Sequence, residues 1–495
     1  MTVLLESPAP ADIASPPSRP RPLPRQFGTL LTASAPAVII TGWLAARAVR
    51  PMTMDESFTV LTSTRSWWSL ARGCTTDPGM AVYYTLLKSW TVIAGDGLGQ
   101  LRLLSTIAVA LAAVGIAALS VARRRPMFGM LASVGAVLSP MAREAAVDAR
   151  AAALGLALAV WLAVLCDRWL RSTTWNRGRV VTILAASVAL AFVHPSTLFA
   201  GFAGAVLVWR RSRRLGSRSE THLALGATGV VVLGGLAAAM QSGAADSVAR
   251  PGLMGIGQVL GQLPGGRILA GAALVATALV LLAGRSFDDE RILRWFGGAS
   301  LLWFAACLFA LPVRSLFVPR YFLAAGVLVL ATVTVAKLEH WSAPLIWLTL
   351  ALTVVGGAAQ LGTGVAGGST WCRLSDRLAG AVHPGDTVAF ATTTYQSPVL
   401  ACLGDRAGAS VLRGTTVVPT MPGRTAEDPR ALWLDRPARL DAVTVLDRGA
   451  STHLIWVTGI DIDYPHVVEQ LKIFGAHCTT TQFGDLSLAS CASPS

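Results

Sequence analysis

Long apolar stretches, each of about 16 to 22 residues, recur through the first three quarters of this 495-residue chain. A helix needs about 20 apolar residues to cross a bilayer. Only 14% of the residues are charged and the mean hydropathy is +0.56, whereas about a quarter of the residues of a soluble domain are charged. The sequence therefore predicts an α-helical polytopic membrane protein.

The apolar stretches predict about eleven transmembrane helices, with bounds that follow the ends of the apolar runs. A segment of about 50 residues, 48–99, separates the first helix from the second and forms the first outer loop. The predicted helices cover residues 29–47, 100–121, 126–141, 151–167, 180–193, 196–209, 222–241, 267–284, 296–312, 321–336 and 343–361.

The net charge of +14 reflects membrane topology rather than a nucleic-acid partner. Arginines cluster in alternate connections between the apolar runs, as at 123–125 and 210–214. Arginine-rich loops mark the cytoplasmic side, so we predict a cytoplasmic N-terminus and an extracytoplasmic C-terminus. Only three lysines occur, which is typical of a GC-rich bacterial genome, and we place the protein in a bacterial plasma membrane.

The chain divides into three predicted regions. Residues 1–28 are Pro-rich, lack the apolar core of a signal peptide and are interpreted as a disordered cytoplasmic tail. Residues 29–361 form the transmembrane domain. Residues 362–495 contain the strand-like stretches "DTVAFATTT" and "THLIWVTG" and the helix-like "YPHVVEQLKIFGA", so they predict a small extracytoplasmic α/β domain.

Four of the seven cysteines lie in this last region, as expected in an oxidising compartment. Cys478 and Cys491 are symmetric about the turn-forming pair Gly484-Asp485 and could face each other across two strands. We therefore predict a Cys478–Cys491 disulfide and, on weaker grounds, a Cys372–Cys402 disulfide. The alternative is free thiols in a small core, because spacing alone does not fix connectivity.

Acidic residues gather in the first outer loop. Asp55 and Glu56 follow the first helix in "RPMTMDESFTV", and Asp77 follows in "TTDPGMAVYYTLLKSW". For an isolated "DE" pair, solvated surface carboxylates are the commoner explanation. Arg47 and Arg50, however, stand on the outer side against the inside-positive bias, so carboxylates and arginines converge at the level of a lipid headgroup.

The stretch between these carboxylates is apolar on one side. In "SFTVLTSTRSWWSLARG" a helix would place Phe58, Leu61 and Trp68 on one face, with Trp67 beside them. Aromatic side chains favour the headgroup region. We predict a helix that lies in the membrane interface.

Two further outer segments contain ionisable residues. In "SPMAREAAVDARAAALGL", Glu144 and Asp148 are four residues apart and Arg143 and Arg150 are seven apart, so each pair would share a face if the segment is helical. A self-contained ion network is the alternative. Ionisable groups at membrane depth usually face a cavity or each other.

His194 and Arg320 complete the set of outer candidates. His194 lies in "FVHPSTLFA", where a lone histidine is more often structural than catalytic. Arg320 precedes Tyr321 in "FVPRYFLAAG", at the outer end of a helix and against the charge bias. A guanidinium group in such a place suits a phosphate ligand.

These motifs resemble those of the type-C membrane glycosyltransferases. The "DE" pair in the first outer loop is followed in order by "DPGMAVYYTLLKSW", "LRLLS", "SP…ARAAAL" and "PRYF", over most of residues 30–336. The branch that is most similar contains the protein O-mannosyltransferases and the lipid A aminoarabinose transferases. The resemblance implies transfer of a sugar from a polyprenyl phosphate to an acceptor outside the cytoplasm.

The resemblance also assigns roles to residues of this chain. Asp55 would be the catalytic carboxylate, with Glu56 its neighbour and Asp77 the second acidic residue. Arg150 and Arg320 would face the donor phosphate. The further candidates are Arg143 for the phosphate, and His194, Tyr83 and Tyr84.

The chain departs from the family pattern at two places. Gly79, Met80 and Ala81 replace a histidine and two prolines of many relatives, and Ala152 replaces a usual tyrosine. These changes question any acceptor or metal role of the missing histidine. The sequence identifies no cofactor with certainty, and carboxylates could hold a divalent cation at the donor phosphate.

Three functional classes remain at this point. The first is an inverting glycosyltransferase that moves a sugar such as mannose or arabinose from a polyprenyl-phosphate donor to a glycolipid, glycan or protein of the cell envelope. The second is a transporter or flippase of a lipid-linked saccharide, which should have ionisable groups and broken helices near the midplane. The third is an inactive envelope scaffold, which would need no carboxylates.

Overall fold

A computed structural model gives the arrangement of the chain. It describes residues 23–47, 56, 59–60, 62–63, 65–76, 78–172, 176–241, 253–283, 292–310, 319–336, 342–361, 370–390, 399, 402, 416–418, 451–457, 468–469, 472–473, 476–483 and 486–492.

A helix covers each of the eleven segments for which the sequence predicts one. Short 3₁₀ turns occur at Pro78–Met80, Pro195–Thr197 and Pro319–Phe322, and a π-helical segment at Leu293–Gly297. The α-helices are α1 (Leu23–Arg47), α2 (Trp67–Thr76), α3 (Ala81–Ala94), α4 (Leu98–Val121), α5 (Pro126–Leu138), α6 (Pro140–Ala146), α7 (Ala151–Arg171), α8 (Arg177–Ala191), α9 (Leu198–Arg214), α10 (Arg218–Gln241), α11 (Leu253–Gln262), α12 (Ile268–Ala283), α13 (Gly298–Ala310), α14 (Leu323–Thr334), α15 (Ser342–Ala359) and α16 (Thr370–Ala379).

Apolar helices dominate the first 361 residues. Among the residues that the structure describes, four helices are long and apolar enough to cross a membrane by length and composition: Phe27–Ala46, Leu98–Val121, Ala151–Arg171 and Ser342–Ala359. Shorter apolar helices accompany them at Pro126–Leu138, Ile268–Ala283, Arg294–Phe309 and Arg320–Thr334.

Helix α14 forms the centre of the helical bundle. All twelve of its residues are buried, and it contacts α4, α5, α7, α12 and α13. A helix that is apolar all round must be surrounded by other elements. Small residues allow the closest helix contacts elsewhere, as at Gly201 of α9, where a Cβ atom would lie 2.5 Å from the carbonyl oxygen of Ser187 on α8.

The predicted helix over 126–141 is wrong at its C-terminal end. Helix α5 ends at Leu138, because the residue before a proline avoids the helical region and Ser139 adopts ψ 140° before Pro140. The Ser139 hydroxyl then accepts a hydrogen bond from the Ala142 backbone N–H and caps α6.

The segment with four charges is only partly helical. Helix α6 ends at Ala146, so Asp148 and Arg150 lie beyond it in a non-helical link to α7, which turns at Val147 and is extended at Arg150. The conditional prediction that Glu144 shares a helical face with Asp148, and Arg143 with Arg150, is therefore wrong. The non-helical link instead carries Asp148 and Arg150 into the candidate active site.

Helices α2 and α3 lie within the described part of segment 48–99, where residues 56, 59–60 and 62–63 are also helical. Helix α2 begins at Trp67, whose side chain is half exposed, and Trp68 next to it is 72% exposed. Phe58 and Leu61, which the sequence places on the same face, lie outside the described residues.

A five-stranded mixed sheet follows the helical bundle. Its strands are β1 (Thr387–Phe390), β2 (Thr416–Val418), β3 (Ser451–Val457), β4 (His477–Phe483) and β5 (Leu486–Ala492), in the order β2-β1-β3-β5-β4. Strand β1 is parallel to β2 and β3, while β3–β5 and β5–β4 are antiparallel. Helix α16 packs on β4 and β5, and apolar side chains from both layers form a separate core.

Disulfides join Cys372 to Cys402 and Cys478 to Cys491, the same pairs that the sequence predicts. The second pair lies directly opposite in the β4–β5 register, with Cα atoms 4.0 Å apart. Of the predicted helix in "YPHVVEQLKIFGA", residues 468–469 and 472–473 are helical, and the others, apart from Ala476, lie outside the described residues.

Candidate active site

Four chain segments meet at one end of the helical bundle: α3, the link 147–150, the turn 192–197 and the 3₁₀ turn Pro319–Phe322. The backbone N–H of Val82 in α3 donates to the carbonyl oxygen of Phe192, at 3.0 Å. The turn Pro195–Thr197 packs against Pro319–Phe322. Most of the predicted site residues that the structure describes gather where these segments meet.

Glu56 is completely buried and held by three hydrogen bonds. Arg102 of α4 donates from Nε to Oε1 at 2.8 Å and from Nη2 to Oε2 at 2.7 Å. The backbone N–H of Ala149 donates to Oε1 at 3.0 Å. A bidentate arginine fork and a backbone donor occupy the carboxylate, so Glu56 fixes the outer loop against α4 and the link 147–150.

Arg102, in the "LRLLS" stretch, is a site residue to which the sequence motifs assign no role. Its side chain is only 13% exposed. A signal was present, since this arginine stands near the predicted outer end of a helix against the inside-positive bias. Its partner could not be identified, because 46 residues separate it from Glu56.

Tyr83 projects a buried hydroxyl into the cluster. The side chain is 1% exposed, and its oxygen has no hydrogen-bond partner among the residues that the structure describes. Burial raises the pKa of this hydroxyl well above its usual value, Tyr84, Asp148 and Glu56 raise the pKa further, and Arg150 lowers it. A buried hydroxyl without a partner is costly, so it is poised to bond a ligand.

The link between α6 and α7 carries Asp148 and Arg150. Arg150 has an extended backbone, with φ −140° and ψ 157°, and is the N-cap residue that directly precedes α7. Its side chain is half-buried, whereas that of Asp148 is 8% exposed. The break in the helix thus turns Arg150 into the cluster instead of leaving it on the surface of a continuous helix.

His194 is buried and neutral. Its Nδ1 accepts the backbone N–H of Ser196 at 3.2 Å and lies 2.6 Å from the Ser196 hydroxyl oxygen. Burial lowers the pKa of the imidazole to about 3, and the charges of Arg320 and Arg150 contribute to the lowering. The ring proton therefore lies on Nε2, and both arginines lie within electrostatic range of the ring.

The lowered pKa predicts an acid-dependent loss of stability. The unfolded chain binds a proton at His194 below its ordinary pKa of 6.5, whereas the folded chain does so only near pH 3. The free energy of unfolding should therefore fall as the pH drops below 6.5, by about 2 kcal/mol at pH 5. Thermal unfolding midpoints from pH 7.5 to 4.5 should fall more steeply for the wild type than for His194→Gln. Parallel curves would contradict this assignment.

Arg320 lies beside the Tyr321 ring, which packs against His194. Its guanidinium carbon is 5.7 Å from the centre of the Tyr321 ring, and the Tyr321 ring centre is 5.6 Å from that of His194. The indole N–H of Trp303 donates to the Tyr321 carbonyl oxygen at 3.1 Å, which holds the 3₁₀ turn. Arg320 and Arg150, on different elements, both lie within electrostatic range of His194.

The remaining candidates have different surroundings. Arg143 donates from Nη1 to the carbonyl oxygen of Gln360 at 3.0 Å, and burial lowers its pKa. Tyr84 is buried beside Tyr83, with ring centres 5.6 Å apart. Asp55 and Asp77 lie outside the described residues. Within the described part of the chain, no three His, Cys, Asp or Glu side chains are grouped to hold a metal ion.

The arrangement favours an anionic ligand. Arg150, Arg320, a neutral imidazole with its proton on Nε2 and a buried tyrosine hydroxyl offer donors and positive charge. Of the described buried carboxylates in the cluster, Glu56 is paired with Arg102, and Asp148 lies on the same link as Arg150. Such preorganised donors stabilise negative charge that develops on a bound group.

Structure comparison finds the same fold in crystal structures of ArnT from Cupriavidus metallidurans, in the apo state and bound to undecaprenyl phosphate. Both matches have a TM-score of 0.53 at 13% sequence identity, and they cover 94% and 95% of this chain and 98% of the ArnT chain. No protein-family model matches the sequence, and no match is found among curated proteins.

ArnT is a lipid A aminoarabinose transferase of the type-C class. The resemblance to this branch that the sequence motifs suggest is therefore confirmed at the level of the fold. The same fold and the apolar helices indicate a protein embedded in a membrane.

Proposed function

We propose that the protein is an inverting glycosyltransferase that uses a polyprenyl-phosphate sugar as donor. The observation that carries the proposal is that Arg150 and Arg320 lie within electrostatic range of one buried histidine, at the end of the bundle where Glu56 is bonded to the backbone N–H of Ala149. The donor phosphate would bind between these arginines. An ArnT structure that contains undecaprenyl phosphate supports this ligand class.

In the proposed reaction the acceptor hydroxyl attacks the anomeric carbon in a single displacement. Asp55 takes the hydroxyl proton as general base, the new glycosidic bond forms, and the bond between the anomeric carbon and the phosphate oxygen breaks. Polyprenyl phosphate leaves with an added negative charge, which Arg150 and Arg320 stabilise. A single displacement inverts the anomeric centre.

The role proposed for Asp55 is supported by its neighbour in the chain. Glu56 is fixed by three hydrogen bonds, and adjacent residues of a chain cannot separate. We assign Glu56 to positioning, Asp55 to proton transfer and Asp77 to the acceptor side. Arg143, which already bonds the Gln360 carbonyl, would support the phosphate site from outside.

The proposed topology places this site outside the cytoplasm. It has a cytoplasmic tail over 1–28, a transmembrane catalytic domain over 29–361 and an outer α/β domain over 362–495. The sugar would be mannose or arabinose, and the acceptor a glycolipid, glycan or protein of the bacterial cell envelope.

A transfer assay tests the function directly. Purified protein in lipid vesicles should transfer radiolabelled sugar from a polyprenyl-phosphate donor to membrane acceptors, and should transfer none from the corresponding nucleotide sugar. The labelled product would identify the acceptor, and its anomeric configuration would test inversion. Movement of the donor across the vesicle membrane without any transfer would reject the enzyme in favour of the transporter.

A further inference from the structure

A basic cavity lies at the end of the helical bundle opposite the candidate active site. Its volume is about 560 Å³, and it is lined by Trp209, Arg210, Arg213 and Arg214 of α9 and by Trp295 of the π-helical segment. Helix α9 begins four residues after His194 and runs for 17 residues, a length of about 25 Å. The basic cavity is therefore a separate place from the proposed donor site.

The charges of three arginines of the basic cavity are not neutralised by any carboxylate among the described residues. Arg210, Arg213 and Arg214 are exposed, and within the described part of the chain their guanidinium groups form no ion pair with a carboxylate. The nearby acids have other partners: Asp167 pairs with Arg123 and Arg171, and Glu220 lies 3.8 Å from Arg177.

A neighbouring arginine shows what a purely structural role would be. Arg211 donates to the carbonyl oxygens of Trp169 and Ser172 at 2.7 and 3.0 Å, and its guanidinium carbon lies 4.4 Å from the centre of the Trp169 ring. It thereby caps backbone groups at the end of α7. Arginines 210, 213 and 214 make no such hydrogen bonds among the described residues.

Tryptophan rings orient two of the cavity arginines. The guanidinium carbon of Arg210 is 5.7 Å from the centre of the Trp295 ring, and that of Arg213 is 5.8 Å from the centre of the Trp209 ring. Such contacts hold the cations without neutralising them. Tryptophan also favours the headgroup layer of a membrane.

Apolar surface continues from the cavity along the bundle. Phe202 lies seven residues before Trp209 on the same face of α9 and is 41% exposed, and Leu302 on the adjacent α13 is 67% exposed. A free anion would make no favourable contact with this apolar surface, whereas the acyl chains of a lipid would cover it.

We propose that the basic cavity binds the phosphate headgroup of an anionic membrane lipid, with the acyl chains along Phe202 and Leu302. The arginines would hold the phosphate oxygens, because guanidinium groups match phosphate geometry. Basic pockets between membrane helices are suited to such headgroups. This site is distinct from the donor site and does not depend on the proposed function.

Native mass spectrometry with defined lipids tests the proposal. The wild type should bind dioleoyl-phosphatidylglycerol at least about 10-fold more tightly than dioleoyl-phosphatidylcholine. The triple variant Arg210→Gln/Arg213→Gln/Arg214→Gln should lose this preference. A matched control, Arg168→Gln/Arg179→Gln/Arg218→Gln, removes three charges from the same end of the bundle but outside the cavity, and it should retain the preference.

Three results would overturn the proposal. Equal loss in both triple variants would attribute the preference to net charge alone. Displacement of the lipid by millimolar inorganic phosphate would indicate a site for free phosphate. The acidic stretch Asp288-Asp289-Glu290 lies outside the described residues; if the wild type binds no anionic lipid but Asp288→Asn/Asp289→Asn/Glu290→Gln does, the arginines serve the chain's own acids.

Discussion

Asp55→Asn should reduce sugar transfer by about 10²- to 10⁴-fold, the range that a general base contributes. The amide has nearly the same shape as the carboxylate but cannot take the proton of the acceptor hydroxyl. The donor phosphate would still meet Arg150 and Arg320, so donor binding should change little. Single-turnover transfer and equilibrium binding of a polyprenyl-phosphate donor, measured on the same preparation, separate the two effects.

Asp77→Asn is the matched control for this experiment. It removes a carboxylate from the same outer loop, and under the proposed assignment it should weaken acceptor use without abolishing the chemical step. Undiminished transfer by Asp55→Asn would leave the enzyme in place but move the base to another carboxylate. Glu56 would be a poor replacement, because Arg102 and the backbone N–H of Ala149 already bond its two oxygens.

Arg102→Leu should destabilise the fold by about 3–5 kcal/mol and abolish transfer, because it leaves the carboxylate of Glu56 buried without its partner. Glu56 is fully buried, and among the described residues Arg102 contributes two of the hydrogen bonds that its carboxylate accepts. The midpoint of thermal unfolding in detergent and the monodisperse fraction after size exclusion measure the loss.

Two further variants isolate the cause. Glu56→Leu/Arg102→Leu removes both charges, so it should recover most of the stability but not the transfer activity, since the outer loop loses its anchor to Ala149. Arg123→Leu removes another partly buried arginine, but its partner Asp167 keeps Arg171 at 2.6 Å, so the loss should be smaller. Equal unfolding midpoints for Arg102→Leu and Arg123→Leu would contradict the argument.

The sequence predicts the helices better than their ends. Each apolar run became a helix because hydrophobic length is a property of the segment alone. The break at Ser139-Pro140 could have been predicted from the backbone preference before proline. The non-helical link that carries Arg150 could not be predicted in this way, because it depends on the end of α6 at Ala146.

Pairing across the chain separates what could be predicted in the site from what could not. Cys478 and Cys491 flank a local hairpin, so their symmetry about a turn was informative. Glu56 and Arg102 are joined only through the packing of a loop against α4, and no local pattern reports such a contact. Arg143 is another example, because its hydrogen bond to the carbonyl oxygen of Gln360, just after α15, could not be predicted from the sequence either.

The burial of α14 has a consequence for how the protein is made. This helix is synthesised after thirteen others, yet it fills their centre. With only twelve residues it is about 18 Å long, so its stability in the bundle comes from its neighbours rather than from lipid contact. During synthesis from the N-terminus, the earlier helices therefore cannot complete their packing until α14 is made. A chain that stops before residue 323 lacks this central helix.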